Sequence, residues 1–328
     1  MKTIILALTV LLLISGCSGG FLGKSSNDAA SVTTEKIYKG KEGLTWKFFE
    51  NAPPDEVYEN GILPVGIRLF NKGASDIKNG YLLVWTDNNQ ILKLDQDSLI
   101  PKGLSFTDDG MIKFDLNGKN AEFQEGGSEI LTFNFKTEKL SVISPTAKEL
   151  PVKVKVTYCH KYQTIVGETV CIDAGSEQKV RDKSCKVENL NLDSQGAPVA
   201  VTKIESEMIP IGGSSSKVIP RFTILVQNLD QGIVVKDDVD IKDSCSKTVI
   251  RDKIKVVARL SNEDGKNMLK CSNGGIVTLE ENKGTIVCSY EEGFDENMGT
   301  FSAPLYITLD YGYTKTGWKE VKIKKLGK

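Results

Sequence analysis

The chain has 328 residues, of which 40% are hydrophobic, which is enough to form packed cores in about two domains of ordinary size. It carries 42 basic and 43 acidic residues. This balance excludes the strongly basic surface that is typical of nucleic-acid-binding domains, so no nucleic-acid partner is predicted.

The first sixteen residues have the pattern of an export signal. Lys2 precedes an apolar run from Ile4 to Ile14, and the small pair Ser15-Gly16 follows it. A positive start, about ten apolar residues and a small-residue cleavage site predict a secretory signal over residues 1–16. The apolar run is shorter than the about 20 residues that a membrane-spanning helix needs.

The end of this signal points to a lipid anchor. The segment Leu13-Ile14-Ser15-Gly16-Cys17 resembles the lipobox of prokaryotic lipoproteins. The resemblance implies that the signal is removed before Cys17 and that the thiol of Cys17 carries a lipid. That lipid would hold the protein at the cell surface, with the membrane as a partner. A plain secretory signal with an unmodified cysteine is the alternative. Residues 17–40 are small and polar, which predicts a flexible tether.

The rest of the chain alternates apolar and polar residues, as β-strands do. Turn clusters rich in Gly, Asn and Asp separate these runs, and no long stretch keeps a helical period. Short strands with regular turns predict an all-β fold of antiparallel sandwiches. The predicted strands include Ile62 to Phe70, Tyr81 to Trp85, Ile130 to Phe135, Val152 to Tyr158, Phe222 to Val226, Ile254 to Leu260, Ile286 to Tyr290 and Leu305 to Tyr311.

Similar features recur at a near-constant distance along the chain. Asn71 and Asn228 each follow a predicted strand and lie 157 residues apart. The run from Pro151 to Tyr158 matches the run from Pro304 to Tyr311, 153 residues further on. Offsets of this kind indicate a duplicated unit.

The repeat predicts two tandem immunoglobulin-like antiparallel β-sandwiches. The first would occupy residues 41–173 and the second residues 198–328, with a polar connector over residues 174–197. A strand of Val199 to Ile204 would open the second unit, as the segment Leu44 to Phe49 opens the first.

These strand and turn patterns resemble a known class of module. Strands that end in Asn-x-Gly are similar to the immunoglobulin-like, CARDB-type modules of prokaryotic surface proteins. The segments Gly196 to Thr202 and Leu309 to Tyr313 are similar to parts of uncharacterised archaeal surface lipoproteins. The resemblance covers most of the exported chain. It implies a role in display, adhesion or assembly and carries no catalytic residues.

Six cysteines besides Cys17 all lie after residue 158. An even number in an exported protein predicts disulfides, and six cysteines allow 15 pairings. Overlaying the ends of the two units places Cys159 and Cys171 opposite each other in a final hairpin, which predicts that bond. The other predicted pairs are Cys271–Cys288, on neighbouring strands, and Cys185–Cys245, which would fix the connector to the second unit.

Few residues are suited to catalysis or to metal binding. His160 is the only histidine, and its neighbour Cys159 would point to the opposite face of a strand, so a reactive pair is the less favoured alternative to a disulfide beside an exposed histidine. Zinc is not predicted, because no Cys-x-x-Cys pair exists. A calcium site at Asp237, Asp238 and Asp240 is the alternative to a solvated turn. No other cofactor is predicted.

The aromatic residues are interpreted mainly as structural. Trp85 and Trp46 are predicted to be buried in strands and Trp318 to be exposed, which argues against a sugar-stacking platform. Four tyrosines at matching places in the two units are predicted to tie their hydroxyl groups to nearby backbone: Tyr158, Tyr162, Tyr311 and Tyr313.

The sequence therefore predicts a non-enzymatic, lipid-anchored cell-surface protein that acts in adhesion, envelope assembly or protein–protein interaction. A protein partner at the cell surface is expected without an indication of its identity. The alternative function is a lipoprotein that captures a sugar or a peptide for a transporter.

Overall fold

The computed structural model describes residues 38–101, 104, 106–143, 145–175, 183–212, 216–260 and 267–327. The predicted signal, Cys17 and nearly all of the predicted tether lie outside the described residues. Within them, the chain is built almost entirely of β-strands, which confirms the all-β prediction.

The strands occur in two groups along the chain, on either side of the connector. The first group is β1 (Leu44–Phe48), β2 (Glu56–Tyr58), β3 (Ile62–Asn71), β4 (Ile77–Thr86), β5 (Leu92–Ile100), β6 (Met111–Leu116), β7 (Ser128–Thr137) and β8 (Glu149–Asp173). The second group is β9 (Leu190–Asn191), β10 (Val199–Ile211), β11 (Lys217–Asn228), β12 (Ile233–Val235), β13 (Lys253–Leu260), β14 (Asn267–Met268), β15 (Lys270–Cys271), β16 (Ile276–Thr278), β17 (Lys283–Ser289), β18 (Phe294–Asp295) and β19 (Thr300–Lys324).

In the part of the chain that the structure describes, helical structure is confined to single turns. The α-helix α1 (Asp243–Ser246) precedes β13. Short 3-10 turns are formed by Leu140–Val142, Ser272–Gly275 and Glu296–Met298.

These strands form three sheets, in which nearly all neighbours are antiparallel. One sheet has the order β1-β3-β7-β5, and a second has the order β15-β17-β11-β10-β9 with β18 beside β11. The third, called here the shared sheet, has the order β14-β13-β19-β8-β4-β6. Three further strands join it: β12 and β2 pair with β19, and β16 pairs with β13.

Two unusually long strands form the centre of the shared sheet. β8 and β19 have 25 residues each, and they pair antiparallel along their whole lengths, from Thr300 opposite Asp173 to Lys324 opposite Glu149. The first part of β8 also pairs with β4, whereas the first part of β19 also pairs with β13. Each long strand therefore begins beside strands of its own half and ends beside strands of the other half.

The two smaller sheets pack on the same face of the shared sheet. Side chains on β8 alternate between faces, so Tyr158 and Thr164 point to the same side. The hydroxyl of Tyr158 donates to the carbonyl O of Leu44 in β1, and the hydroxyl of Thr164 donates to the carbonyl O of Val199 in β10. This inner face of the shared sheet thus closes two adjacent hydrophobic cores.

The period of two in the sequence explains which face each strand buries. In β11, Val218, Pro220, Phe222, Ile224 and Val226 are buried, while the residues between them are half-buried. The buried side chains meet the inner face of the shared sheet, so the hydrophobic effect fixes both the strand and its register.

Equivalent hydrogen bonds occur at the two asparagines that the sequence analysis matched. The side-chain amide of Asn71 donates to the carbonyl O of Ser75 at 2.8 Å, and that of Asn228 donates to Gly232 O at 2.9 Å. Each asparagine also faces the first residue of an opening strand, Leu44 or Val199. The turn that follows β3 and the turn that follows β11 are therefore closed by the same kind of hydrogen bond.

The arrangement differs from two separate sandwiches in tandem. A strand from each half completes the sheet of the other, because β8 and β19 continue through the places where the sequence predicted a turn and a short last strand. The halves consequently share one continuous sheet, and the boundary between residues 41–173 and 198–328 does not separate two independent packing units.

This sharing predicts that the two halves unfold together. Calorimetry of the full chain should show one cooperative transition. Residues 41–173 produced alone should lack a cooperative transition, because the second part of β8 would expose buried side chains such as Val166 and Ile172. Producing residues 41–173 and 198–328 together should restore it. A stable, cooperatively folded single half would contradict the prediction.

Candidate functional site

The region where the two hydrophobic cores meet, called here the joint, contains His160, the only histidine of the chain. His160 is fully buried on the inner face of β8. Its ring centroid lies 5.6 Å from that of Tyr158, 5.4 Å from that of Tyr162 and 6.3 Å from that of Tyr313. The prediction of an exposed histidine at a strand end was wrong, because β8 does not end there.

The hydroxyl groups of the joint tyrosines are tied to backbone atoms, as the sequence predicted. The Tyr313 hydroxyl accepts a hydrogen bond from the backbone N–H of Gly232 at 2.8 Å, and the Tyr162 hydroxyl accepts one from Ser75 N–H at 3.3 Å. Burial raises the pKa of both hydroxyls above the usual value for tyrosine, so they stay protonated at neutral pH. They act as structural anchors.

His160 is held in its neutral form. Burial lowers its pKa to about 4. Its Nδ1 lies 3.2 Å from the carbonyl O of Lys161, which can only accept, so Nδ1 carries the proton. Its Nε2 is buried without a hydrogen-bond partner among the described atoms. Among the described residues, no hydroxyl or thiol therefore lies within hydrogen-bond distance of Nε2, and Cys159 points to the opposite face of β8.

The disulfides differ from the predicted set in two of three pairs. The structure joins Cys271 with Cys288, on the neighbouring strands β15 and β17, as the sequence analysis expected. It joins Cys159 with Cys245 and Cys171 with Cys185, so the predicted pairs Cys159–Cys171 and Cys185–Cys245 were wrong.

The continuity of β8 explains this error. Cys159 and Cys171 lie on one strand, and 12 residues of strand span about 40 Å at ~3.3 Å per residue. A disulfide requires Cα atoms within about 7 Å. Cys171 instead meets Cys185 where the connector returns past the end of β8, and Cys159 is left facing α1.

The Cys159–Cys245 disulfide attaches a small cap to the outer face of the shared sheet. This α1 cap, residues 241–246, packs through Ile241 and Cys245 against Met111 and Cys159. Tyr81 and Leu83 lie at the side of this cluster. The outer face is therefore covered over part of its area and open elsewhere.

The three aspartates considered for calcium do not converge. Asp237 lies 3.9 Å from the Lys255 ammonium, Asp238 is hydrogen-bonded to Lys236, and Asp240 accepts from the backbone N–H of Lys242. Among the described residues, no group of three His, Cys, Asp or Glu side chains could hold a metal ion. The structure therefore does not bring Asp237, Asp238 and Asp240 together, and each of them already has a lysine or backbone partner.

A cleft of about 580 Å³ lies beside the α1 cap, where the two halves meet. Its walls carry charges of both signs, including Asp237, Asp310, Lys161 and Lys255. Asp310 accepts a hydrogen bond from the side chain of Gln163, and the Lys161 ammonium donates to the carbonyl O of Asp237. Most of its polar groups thus have partners within the cleft.

The open part of the outer face carries two tryptophans in one cross-strand row. Trp85 on β4 and Trp318 on β19 are both register partners of Lys155 on β8. We call Trp85, Lys155 and Trp318 the tryptophan row. The ammonium of Lys155 lies 4.2 Å from the Trp85 ring centroid, and that of Lys153 lies 4.2 Å from the Trp318 ring centroid.

Two threonine hydroxyl groups next to the tryptophan row are held by hydrogen bonds. The Trp85 indole N–H donates to the Thr157 hydroxyl at 3.3 Å, and the Thr157 and Thr316 hydroxyls lie 2.8 Å apart. Trp85 is 38% exposed and Trp318 is 55% exposed. The prediction that Trp85 is buried was wrong, whereas the exposure of Trp318 is confirmed.

Sequence reasoning missed this row because it treated each tryptophan alone. Trp85 ends a predicted apolar strand, which suggested burial, but its position in the alternation of β4 places its side chain on the outer face. Lys153, Lys155 and Thr157 alternate with buried valines in β8, and that polar set is the signal that marks the outer face. Trp46 is half-buried and packs against Phe48.

Comparisons with known proteins give no family for this chain. No protein-family model matches it, and no curated protein matches. The similarity to solved structures is weak. The secreted serine protease VesC from Vibrio cholerae is 11% identical with a TM-score of 0.19, over 90% of this chain and 53% of that one. This chain therefore spans about half the length of that protein.

The other two structures are no closer. A DUF4466 family protein from Parabacteroides merdae is 6% identical with a TM-score of 0.17, over 82% of this chain and 99% of that one. The CupB6 tip adhesin from Pseudomonas aeruginosa is 10% identical with a TM-score of 0.14, over 87% and 97%. Similarity at this level carries no argument about fold or function.

The corrected disulfides lead to a stability prediction. Replacing Cys159 and Cys245 with Ser should destabilise the protein by about 4 to 5 kcal/mol in the chain-entropy model, because the bond closes a separation of 86 residues. The control is the double variant Cys171→Ser, Cys185→Ser. The bond that it removes closes a separation of only 14 residues, so its loss should lower the free energy of unfolding by about 3 kcal/mol. Urea unfolding of both variants measures the difference. Equal losses of stability, or a larger loss in the control, would contradict the chain-entropy prediction.

The joint leads to a pH prediction. Unfolded His160 binds a proton near its ordinary pKa of ~6.5, whereas the folded protein does so only near 4. Stability should therefore be complete above pH ~6.5 and fall towards pH 4, by on the order of 3 kcal/mol. His160→Phe should flatten this part of the profile. Urea midpoints between pH 7.5 and 4 measure it, and equal slopes for both proteins would contradict it.

Proposed function

We propose that this chain is a non-enzymatic, lipid-anchored protein of the cell envelope that displays the outer face of the shared sheet as a binding surface. The observation that carries the proposal is the tryptophan row. Two large aromatic side chains stand exposed on either side of the half-buried Lys155, on a sheet rather than on a loop, and on the face of that sheet that does not close the cores.

The disulfides support an exported location. The three bonds indicate an oxidising environment, such as the outside of the cell. Within the described ranges, no helix has the length and hydropathy needed to cross a membrane. The lipobox-like segment that ends in Cys17 would then attach the folded unit to the membrane, and residues 17–40 would hold it away from the lipid surface.

The surroundings of His160 support a non-enzymatic role. The side chain is buried, neutral and enclosed by tyrosine rings, so it cannot act as a general base for a nucleophile at the surface. The same proposal includes that each half is an immunoglobulin-like module, since duplicated modules of this kind are suited to display and adhesion.

The cleft beside the α1 cap favours a second candidate function. Its aspartates and lysines could hold a small molecule with both charges, such as an amino acid or a short peptide, as a capturing lipoprotein would require. The tryptophan row is the stronger site, because most of the polar groups in the cleft already have partners there.

The anchor leads to a prediction that tests the proposed function. In a host that processes lipoproteins, the full chain should enter the membrane fraction with a mass above that of the polypeptide from Cys17. Cys17→Ser should leave the protein unlipidated, because serine has no thiol to modify, while Ser18→Ala should be lipidated as usual. Fractionation and mass spectrometry measure both, and protease treatment of intact cells reports surface exposure. An unchanged mass and location of Cys17→Ser would refute the anchor.

A further inference from the structure

In the tryptophan row, Lys155 lies in register between two exposed tryptophans, and its ammonium lies over the Trp85 ring. Lys155 is half-buried, and it takes part in none of the ion pairs formed by the described residues. Its two cross-strand neighbours are the uncharged Trp85 and Trp318. A lysine in this setting keeps its charge available for a partner that supplies an anion.

We propose that the tryptophan row binds a linear glycan chain that carries carboxylates, such as a polymer of uronic acids. The C–H faces of the sugar rings would stack on the indoles, and a carboxylate would pair with the Lys155 ammonium. The inference rests on the proposed function, because it names the ligand class of the displayed surface.

The spacing of the row requires a polymer. Trp85 and Trp318 lie on β4 and β19, with β8 between them. Two strand spacings of ~4.8 Å place the two residues about 9.6 Å apart. A single sugar ring is no larger than the indole on which it stacks and cannot cover both tryptophans. A chain of linked sugars that crosses the strands can contact both at once.

The α1 cap favours a narrow ligand over a protein surface. Cys159, which is bonded to the cap, lies four residues from Lys155 along β8, or about 13 Å. A partner surface that covers the row and extends about 13 Å along β8 would also have to accommodate the cap. A chain one sugar wide can lie beside the cap, where the exposed Thr316 hydroxyl offers a hydrogen bond to a sugar hydroxyl.

Neighbouring acidic side chains fix where the carboxylate would bind. Glu320 is the register partner of Lys153, and the Asp87 carboxylate accepts the backbone N–H of Lys153 at 2.9 Å. The position of Lys153 is therefore flanked by negative charge. Lys155 has no such neighbours in its row, so the structure assigns the carboxylate of the ligand to Lys155.

The test is a titration of the detergent-solubilised full chain with polygalacturonate, followed by calorimetry and by tryptophan fluorescence. Binding should change the fluorescence, because Trp85 and Trp318 are two of the three tryptophans. Affinity should fall as NaCl is raised, since a charge pair contributes to it. A neutral glucan of similar length should bind about tenfold more weakly or not at all.

Variants assign the binding to the row. Trp85→Ala and Trp318→Ala should each weaken binding about tenfold, because each removes a stacking ring. Lys155→Gln should weaken binding to polygalacturonate several-fold and reduce its dependence on salt, while Lys155→Arg should retain both. The matched control is Phe123→Ala, which removes an aromatic side chain of 54% exposure in the loop between β6 and β7 and should leave binding unchanged. Thermal midpoints close to that of the unchanged protein show that the variants are folded.

Three results would overturn the inference: no binding to polygalacturonate, equal binding to the neutral glucan, or binding that the tryptophan and Lys155 variants do not alter. None of these results tests whether the protein is lipidated and exposed at the cell surface. If the chain is lipidated and exposed at the surface but fails these titrations, the ligand class is wrong and the proposed display function stands. If Cys17→Ser is unchanged while polygalacturonate binds at the row, the anchor alone is wrong.

Discussion

The antiparallel pairing of β8 with β19 is the constraint on which the rest of the structure depends. Every residue of one 25-residue strand lies opposite a residue of the other, from Asp173 with Thr300 to Glu149 with Lys324. Because the strands run in opposite directions, the end of each strand enters the other half of the molecule. The cores of the two halves are thereby closed by a common sheet, and they are not two bodies joined by a linker.

This pairing also determines which surfaces are free to act. One face of the shared sheet is used to close both cores, so the side chains that alternate outward along β8 and β19 form the other face. The Cys159–Cys245 disulfide and the α1 cap cover the centre of that outer face. The tryptophan row remains open on one side of the cap, and the charged cleft remains open on another. A flat sheet holds the rings and Lys155 at fixed spacing, which a loop could not do without an entropic cost on binding.

The joint between the halves combines stability with chemical inertness. His160 and the surrounding tyrosines fill the space where the two cores meet, and burial keeps all of their side chains neutral near pH 7. Their hydrogen bonds go mainly to backbone atoms of the opening strands and turns. An arrangement of this kind holds two layers in place and leaves no group poised for proton transfer. It fits a protein whose activity lies in what its outer surface contacts.

The sequence by itself determined the local structure of this protein. Alternation located strands such as β3 and β13 nearly to the residue, because a half-buried strand must change face at every position. The matched Asn71 and Asn228 identified the duplicated turns, and the cysteines on adjoining strands identified Cys271–Cys288. These are short-range features, in which neighbouring residues carry all the information.

Only the tertiary structure decided how far β8 and β19 continue and what faces them. The sequence near Lys161 and Lys315 contains polar residues that read as turns, yet pairing along the partner strand supplies hydrogen bonds that keep both segments extended. That continuity separated Cys159 from Cys171, buried His160, and brought Trp85 and Trp318 to the two sides of Lys155. Such outcomes depend on pairing between distant parts of the chain, such as Trp85 and Trp318 with Lys155, and a cross-strand register of that range leaves no local pattern in the chain.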